Sequence, residues 1–185
     1  MWYKPEVFVK QLDTEVLLKE YRNPEQFGDA CRQCPDYDNN WSCPPGIPDP
    51  FSYLEGYEKV FVVAVKVNYT EEVTGEDVKK EDAAIWRASS YEKVKKRLFA
   101  TLLANEKKGS GGKCMGAGKC LLCRKCTRED SKPCRYPDLR RYSFTSFGFD
   151  FSRMLKDFFD LEMIWCGGEE IPPYDIAVAA LFCRP

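Results

Sequence analysis

Runs of apolar residues predict the strands of a β-sheet. Val60–Val67 is β-branched and almost continuously apolar, which is typical of a central strand that is buried on both faces. Ile176–Cys183 and Glu162–Cys166 predict two closing strands, with a turn over Gly167–Pro173 between them. Near the start of the chain, Val7–Leu12 predicts an edge strand.

Helical spacing of apolar residues predicts the layers that cover this sheet. A short helix is expected over Thr14–Tyr21. Thr74 and Asp77 resemble a capping box that would begin the longest helix, ended by Ser110–Gly112. Its apolar stripe consists of Ala84, Ala88, Tyr91, Val94, Leu98 and Leu102. A last helix is predicted by the face formed by Phe151, Met154, Leu155, Phe158 and Phe159.

These elements predict an α+β fold, with a mixed β-sheet covered by two or three helices in a single domain over residues 1–185. Two cysteine-rich segments interrupt the pattern. Residues 28–50 contain so much Pro, Gly and Asn that they predict a loop without a regular element. Residues 113–137 predict a short extended piece followed by a second cysteine-rich loop. Both loops are expected to decorate one end of the fold and to bind metal.

The chemistry of the chain is bounded by ten cysteines and no histidine. Without histidine, a His-based triad, a histidine general base and a histidine metal ligand are all excluded. The net charge of −1 shows no basic excess that would attract nucleic acid or an anionic membrane. The lysines and arginines at 93–97 are interpreted as a solvated helix face. No phosphate-binding loop, dinucleotide fingerprint or serine nucleophile elbow is present, and no catalytic residue is identified.

The cysteines suggest a compartment as well as a chemistry. The chain begins without a secretory signal, and its apolar runs are too short to span a bilayer. We therefore expect a cytoplasmic protein. Cytoplasmic thiols stay reduced, so that clustered cysteines there bind metal more often than they form disulfides.

One cysteine set, called here the second cysteine set, comprises Cys120, Cys123, Cys126 and Cys134. Three thiolates at a repeat of three allow a loop to wrap three corners of a cubane, and a returning cysteine takes the fourth iron. The spacing is close to the bacterial ferredoxin run, except that the last gap is seven residues. Nine basic and three acidic residues lie within 113–141, which suits an anionic cluster. A [4Fe-4S] cluster is therefore predicted here, rather than zinc or an unligated loop.

The first cysteine set comprises Cys31, Cys34 and Cys43, which is one ligand short of a tetrahedral site. This set predicts a second iron–sulfur cluster or a zinc ion, with a redox-active cysteine pair as the other interpretation. Either a distant cysteine completes the site, or one metal corner stays open for a ligand. Cys114 is the first candidate for the fourth ligand, followed by Cys166 and Cys183. The aromatic residues expected to shield this set are Tyr37, Trp41 and Phe51.

The cysteine motifs carry a resemblance to a known family. They are Cys31-x-x-Cys34-Pro-x-Tyr, Trp41-Ser-Cys43-Pro-Pro, Ala117-Gly-Lys-Cys120-Leu-Leu-Cys123-Arg-Lys-Cys126 and Pro133-Cys134-Arg-Tyr-Pro137. Over residues 28–183 the chain resembles a prokaryotic family known only as predicted metal-binding proteins. The resemblance implies metal or iron–sulfur binding at seven cysteines and supplies no reaction. This chain has Ser146-Phe147-Gly148 at a turn that the family keeps, and Tyr136 where histidine is common.

Three functions follow as hypotheses. The leading one is an iron–sulfur protein that passes electrons, or a cluster-bound ligand, to a redox or metabolic protein partner. The second is an enzyme whose open cluster at the first cysteine set acts on a small substrate, for instance in the removal or transfer of sulfur. In that case Cys114 is a candidate nucleophile, and Asp36, Tyr37 and Asp38 are candidate proton carriers. The third is a zinc-stapled interaction module.

Overall fold

The strands of the sheet are long and pair over most of their length. In the computed structural model, residues 2–74, 80–108, 111–165 and 170–185 are described. The four strands are β1 (Tyr3–Asp13), β2 (Lys59–Tyr69), β3 (Lys113–Gly116) and β4 (Tyr174–Cys183). Their spatial order is β1-β2-β4-β3, and every pair of neighbours is antiparallel. The predicted α+β class is therefore confirmed.

The sheet is antiparallel where a mixed sheet was predicted, and the reason lies in the place of β4. The mixed sheet was predicted from the order of elements alone, in which a strand, a long helix and a further extended piece follow one another. The structure inserts β4 between β2 and β3 and pairs it antiparallel with both. The strands β2 and β3 thus run in the same direction but are not hydrogen-bonded to each other, because β4 lies between them.

Seven α-helices surround this sheet in the described part of the chain. They are α1 (Thr14–Glu20), α2 (Pro24–Gln33), α3 (Pro50–Tyr53), α4 (Glu71–Thr74), α5 (Lys80–Ser89), α6 (Tyr91–Lys108) and α7 (Phe151–Phe159). Two short 3-10 turns lie at Thr127–Asp130 and Thr145–Phe147. None of the described helices is long and apolar enough to cross a membrane.

Hydrophobic residues fill both faces of the sheet. On one face, Val60 and Val62 of β2 and Phe182 of β4 pack with α1, α7 and the phenylalanines of residues 144–151. On the other face, Val63 and Val65 pack against α6. Burial on two faces explains why the central strand reads as continuously apolar. The predictions for β1, α1, β2, α7 and β4 are confirmed, and no predicted end differs from the structure by more than four residues.

Residues 28–50 were predicted to be loop throughout. This is wrong for the first of them, because α2 continues to Gln33. Proline stands at the first position of this helix, and the Asn23 side chain accepts a hydrogen bond from Gln26 N–H. These two residues are typical helix-start signals, and they lie just before the segment that was interpreted as loop. Gly28 is tolerated inside the helix.

The predicted long helix is in fact two helices that meet at Ser90. The buried Ser90 hydroxyl donates to the carbonyl of Trp86 at 2.7 Å, and the Ser90 carbonyl accepts the N–H of Val94. The stripe from Tyr91 onward faces the sheet as predicted, whereas Ala84 and Ala88 are exposed. The capping box is also wrong at Thr74, which ends α4. Its partner Asp77 and the stop at Ser110 lie outside the described residues.

The predicted strand over Glu162–Cys166 is absent over residues 162–165. Its last residue, Cys166, and the start of the predicted turn at Gly167 lie outside the described part of the chain. Leu161 and Met163 pack into the core, whereas Glu162 between them is exposed. This alternation imitates a strand pattern. The segment 161–165 has no regular secondary structure and pairs with no strand in the described structure.

Candidate metal centre

The four cysteines of the second set line one narrow cavity. Each of them is partly buried. Burial raises the pKa of the Cys120 thiol, and the thiols of Cys123, Cys134 and Cys126 raise it further, against a backbone hydrogen bond from Leu122. The structure therefore brings together the four residues that the spacing predicted.

The seven-residue gap before Cys134 is closed by a small hydrogen-bonded loop. Cys126 directly precedes the 3-10 turn Thr127–Asp130, and the buried Thr127 hydroxyl donates to the carbonyl of Pro133 at 2.8 Å. The Lys132 N–H also donates to the Thr127 carbonyl at 3.0 Å. This closure brings the chain back to Thr127, next to Cys126, so that Cys134 lines the same cavity as Cys126 despite the longer gap.

Residues of the first cysteine loop complete the cavity wall. Asn40 and Trp41 line it together with the four cysteines. The Trp41 indole N–H donates to the carbonyl of Lys132 at 3.0 Å, and the Arg128 guanidinium lies 4.8 Å from the ring centre. Trp41 therefore shields the second cysteine set, whereas it was predicted to shield the first. Tyr136 also lines the cavity, at the position where the family commonly has histidine.

The first cysteine set is built from the end of α2 and the turn that follows. Cys31 lies in the last turn of α2, Cys34 is its C-cap, and Cys43 follows a tight turn from Asn40. Burial raises the pKa of Cys43 to about 11. A hydrogen bond with Ser42 opposes this shift, while the charges of Asp36, Cys34 and Cys31 add to it. The charges of Cys31 and Cys34 thus reach the Cys43 thiol.

The first candidate for the fourth ligand is wrong. Cys114 is fully buried on the α6 side of the sheet, beside Glu106, and burial and that carboxylate raise its pKa. A thiol buried in that cluster is also inaccessible as a nucleophile. Cys183 lies at the end of β4, and burial alone raises its pKa, without a contribution from another thiol. Cys166 lies outside the described residues.

The two cysteine loops are joined by a network of hydrogen bonds. The Ser42 hydroxyl donates to Asn40 Oδ1 at 2.9 Å, accepts the Cys120 backbone N–H at 2.9 Å and lies 3.7 Å from Cys43 Sγ. The Arg128 side chain donates to the carbonyls of Asn40, Cys43 and Pro45 at 2.8–3.3 Å. A single structural unit therefore carries both cysteine sets.

Oppositely charged residues of the two cysteine loops pair with each other. Arg128 forms an ion pair with Asp38 at 2.6 Å, and Lys119 one with Asp36 at 3.2 Å. Because these carboxylates are paired, the surroundings of the first cysteine set are less acidic than the sequence suggests. The same two residues are the candidate proton carriers, and Asp36 already accepts from a lysine.

The residues that hold the two loops together were not predicted from the sequence. Ser42 stands inside the quoted cysteine motif, so its position next to Cys43 was a usable signal. Arg128 was counted only as one of nine basic residues, and no local pattern marks it as the side chain that binds three carbonyls. Among the described residues, no three His, Cys, Asp or Glu side chains converge closely enough to hold a single metal ion.

Comparison with known proteins places this site in a family. Residues 15–177 match a family described as predicted metal-binding proteins, DUF2284. The match includes both cysteine sets and all the loops that join them. No curated protein and no solved structure matches the chain.

Proposed function

The chain belongs to this family of predicted metal-binding proteins, and from that premise we propose that it is an iron–sulfur protein. The second cysteine set holds a [4Fe-4S] cluster, and the protein passes electrons, or a ligand bound to a cluster, to a protein partner. The observation that carries this proposal is the single cavity lined by Cys120, Cys123, Cys126 and Cys134.

The arrangement of these thiols around a cavity suits a cubane. In a four-iron cluster each thiolate binds a different iron, so the four sulfurs stand around the cluster rather than around one point. A structural zinc usually takes two separated Cys-x-x-Cys pairs, and three cysteines in one continuous repeat are redundant for it. When bound, the cluster supplies one-electron transfer at a potential that its protein surroundings set.

The surroundings of the cavity favour exchange with a partner. Trp41 and Tyr136 line it. Cys123 and Cys126 also line an open groove, together with Lys96 of α6 and Arg124. A partner seated in this groove would come close to the cluster ligands without any rearrangement of the core.

The first cysteine set is proposed to hold a second iron–sulfur cluster rather than a zinc ion, because no three His, Cys, Asp or Glu side chains of the described residues converge closely enough to hold a single metal ion. Its three thiols lie close enough together to act on each other's charge, and the Ser42 hydroxyl links this set to Cys120. Two centres joined in this way would suit an electron path that enters at one set and leaves at the other.

A second candidate function is an enzyme, because a cavity also opens beside Cys31. In the described residues only three cysteines form this set, so that a cluster held there would keep one iron open for a small ligand. Substrate binding next to an accessible metal corner is the minimum that such an enzyme requires. The cavity beside Cys31 supports a binding site for a small ligand. A reaction at this site would require the proposed metal.

Metal analysis of anaerobically purified protein tests the proposal. We expect about four irons and four acid-labile sulfides per chain at the second set, in excess of zinc. Cys123→Ser should abolish this signal, whereas Cys183→Ser should leave it unchanged. Stoichiometric zinc without acid-labile sulfide would overturn the proposal and favour the zinc-stapled module.

A further inference from the structure

A cavity between α2, the 3-10 turn Thr145–Phe147 and the loop before α3 has the composition of a ligand site. Its walls include one face of α2, in which Pro24, Phe27, Gly28, Cys31 and Arg32 recur at helical spacing. None of the residues of α2 is fully buried. The space is about 570 Å³, including the part that opens to solvent.

Arg22 is the charged group that is best placed to bind a ligand in this cavity. Its Nε donates to the carbonyl of Phe147 at 2.8 Å, and its guanidinium lies 5.3 Å and 5.9 Å from the ring centres of Phe51 and Phe149. These contacts fix the guanidinium while its terminal nitrogens donate to no acceptor among the described residues. A half-buried guanidinium that is held in this way is preorganised for a carboxylate.

The other charged groups nearby do not replace this role. Burial lowers the pKa of Arg22, and the smaller effect of the Asp49 charge raises it. The Asp49 carboxylate accepts hydrogen bonds from the N–H and the hydroxyl of Ser52. Arg32 lies on the rim of the cavity and forms an ion pair with Asp29, with both side chains mostly exposed. Arg22 is therefore the anchor, and Arg32 offers a matched control.

The remaining walls define the rest of the ligand. Phe27, Ile47 and Phe147 are apolar, whereas Cys31 of the first cysteine set lines the same cavity. We propose that this cavity binds a small organic acid whose carboxylate pairs with Arg22 and whose short apolar body points toward Cys31. Binding of the carboxylate needs only the described side chains, and contact with a metal at the first set rests on the proposed function.

Calorimetric titration of the anaerobically purified protein tests this site. Propionate and 3-mercaptopropionate should bind, and propan-1-ol, which lacks the carboxylate, should not. Arg22→Gln should weaken the binding of both acids by roughly ten- to a hundredfold, which corresponds to loss of a charged hydrogen-bonded pair. Arg32→Gln should change it less than about threefold, as expected of an exposed pair.

The outcomes separate the binding site from the metal. Equal affinity of wild type and Arg22→Gln for the two acids would overturn the proposal, and so would tight binding of propan-1-ol. Arg22→Lys keeps the charge and should recover part of the affinity, which shows that a weak Arg22→Gln variant has not simply misfolded. If 3-mercaptopropionate binds without changing the absorption spectrum of the metal, the proposed open metal corner fails while the carboxylate site stands.

Discussion

The hydroxyl of Ser42 accepts a hydrogen bond from the backbone N–H of Cys120 at 2.9 Å, although the two residues lie in different cysteine loops. Ser42 is 1% exposed, and its hydroxyl donates to Asn40 Oδ1 within its own loop. Because this contact connects the residue next to Cys43 with the first cysteine of the other set, changes at one site should be felt at the other.

Replacing Ser42 by alanine should destabilise both loops. The partly buried Cys120 N–H would lose its acceptor, which costs about 1–3 kcal/mol in the free energy of unfolding. Chemical denaturation of the metal-loaded protein measures this loss. Ser52→Ala, which removes an exposed hydroxyl, should change stability by less than about 0.5 kcal/mol. A Ser42→Ala variant as stable as this control would contradict the structural link.

Replacing Arg128 by lysine should loosen the first cysteine loop without changing the charge. Lysine has one donor group and no planar fork, so it cannot bind three carbonyls, and the loss is about 1.5–3 kcal/mol. The ion pair with the largely exposed Asp38 contributes little to this figure.

Hydrogen exchange locates the effect of this substitution. Protection should fall at residues 38–45 in the Arg128→Lys variant and stay unchanged in β2. Arg124→Lys is the control, because Arg124 is exposed and lies in the same cysteine-rich loop as Arg128, residues 113–137. Unchanged protection at 38–45 in the Arg128→Lys variant would show that this side chain does not hold the loop.

Elements with a strong local pattern were predictable from the sequence, and contacts between distant segments were not. The continuous apolar run of β2 and the five-residue face of α7 follow from periodicity alone, which is why both are correct. The insertion of β4 between β2 and β3 depends on tertiary pairing, which no local pattern records. The start of α2 at Asn23–Pro24 was a local signal that the many prolines of the following loop obscured.

The same division holds for the candidate site. Spacing was sufficient to group Cys120, Cys123 and Cys126, because residues three apart in a tight loop are close in space. Cys134 joins them through the hydrogen-bonded loop that Thr127 closes. Spacing could not exclude Cys114 from the first set, since the face of the sheet on which that thiol is buried follows from the pairing of β3 with β4. The pairing of Asp38 with Arg128, 90 residues apart, is of the same kind.

The ion pair of Glu106 with Arg141 predicts a dependence of stability on pH. Burial by itself raises the pKa of Glu106, but hydrogen bonds from Arg141 and the Cys114 N–H together hold it below its ordinary value of 4.5. A lowered carboxyl pKa contributes stability that is complete above pH 4.5 and is lost as the pH falls through the folded-state pKa.

Glu106→Gln should therefore cost about 1–3 kcal/mol at neutral pH, and this difference from wild type should shrink below pH 4.5. Metal release in acid affects both proteins, so the comparison is made at each pH by denaturation of the two side by side. The exposed Glu55→Gln should show no such pH-dependent difference. A gap between Glu106→Gln and wild type that stays constant from pH 7 to pH 3 would contradict the assignment.

Cys114→Ser should leave the metal content of the protein unchanged. Cys114 lies on the α6 side of the sheet with Glu106, and serine can keep the hydrogen bond to that carboxylate. Cys43→Ser, by contrast, should remove metal from the first cysteine set. Iron and zinc analysis of the two variants, purified anaerobically in parallel, makes the comparison. If both variants lose the same amount of metal, Cys114 is a ligand after all.

The central claim is that Cys120, Cys123, Cys126 and Cys134 bind one four-iron cluster. A crystal structure of the anaerobically purified protein, with anomalous diffraction recorded at the iron and zinc absorption edges, tests it most directly. The account predicts iron density that fills the cavity between these four cysteines, with one thiolate on each iron. A single zinc peak bound by these cysteines, or a cavity without metal in a protein that carries iron elsewhere, would contradict it.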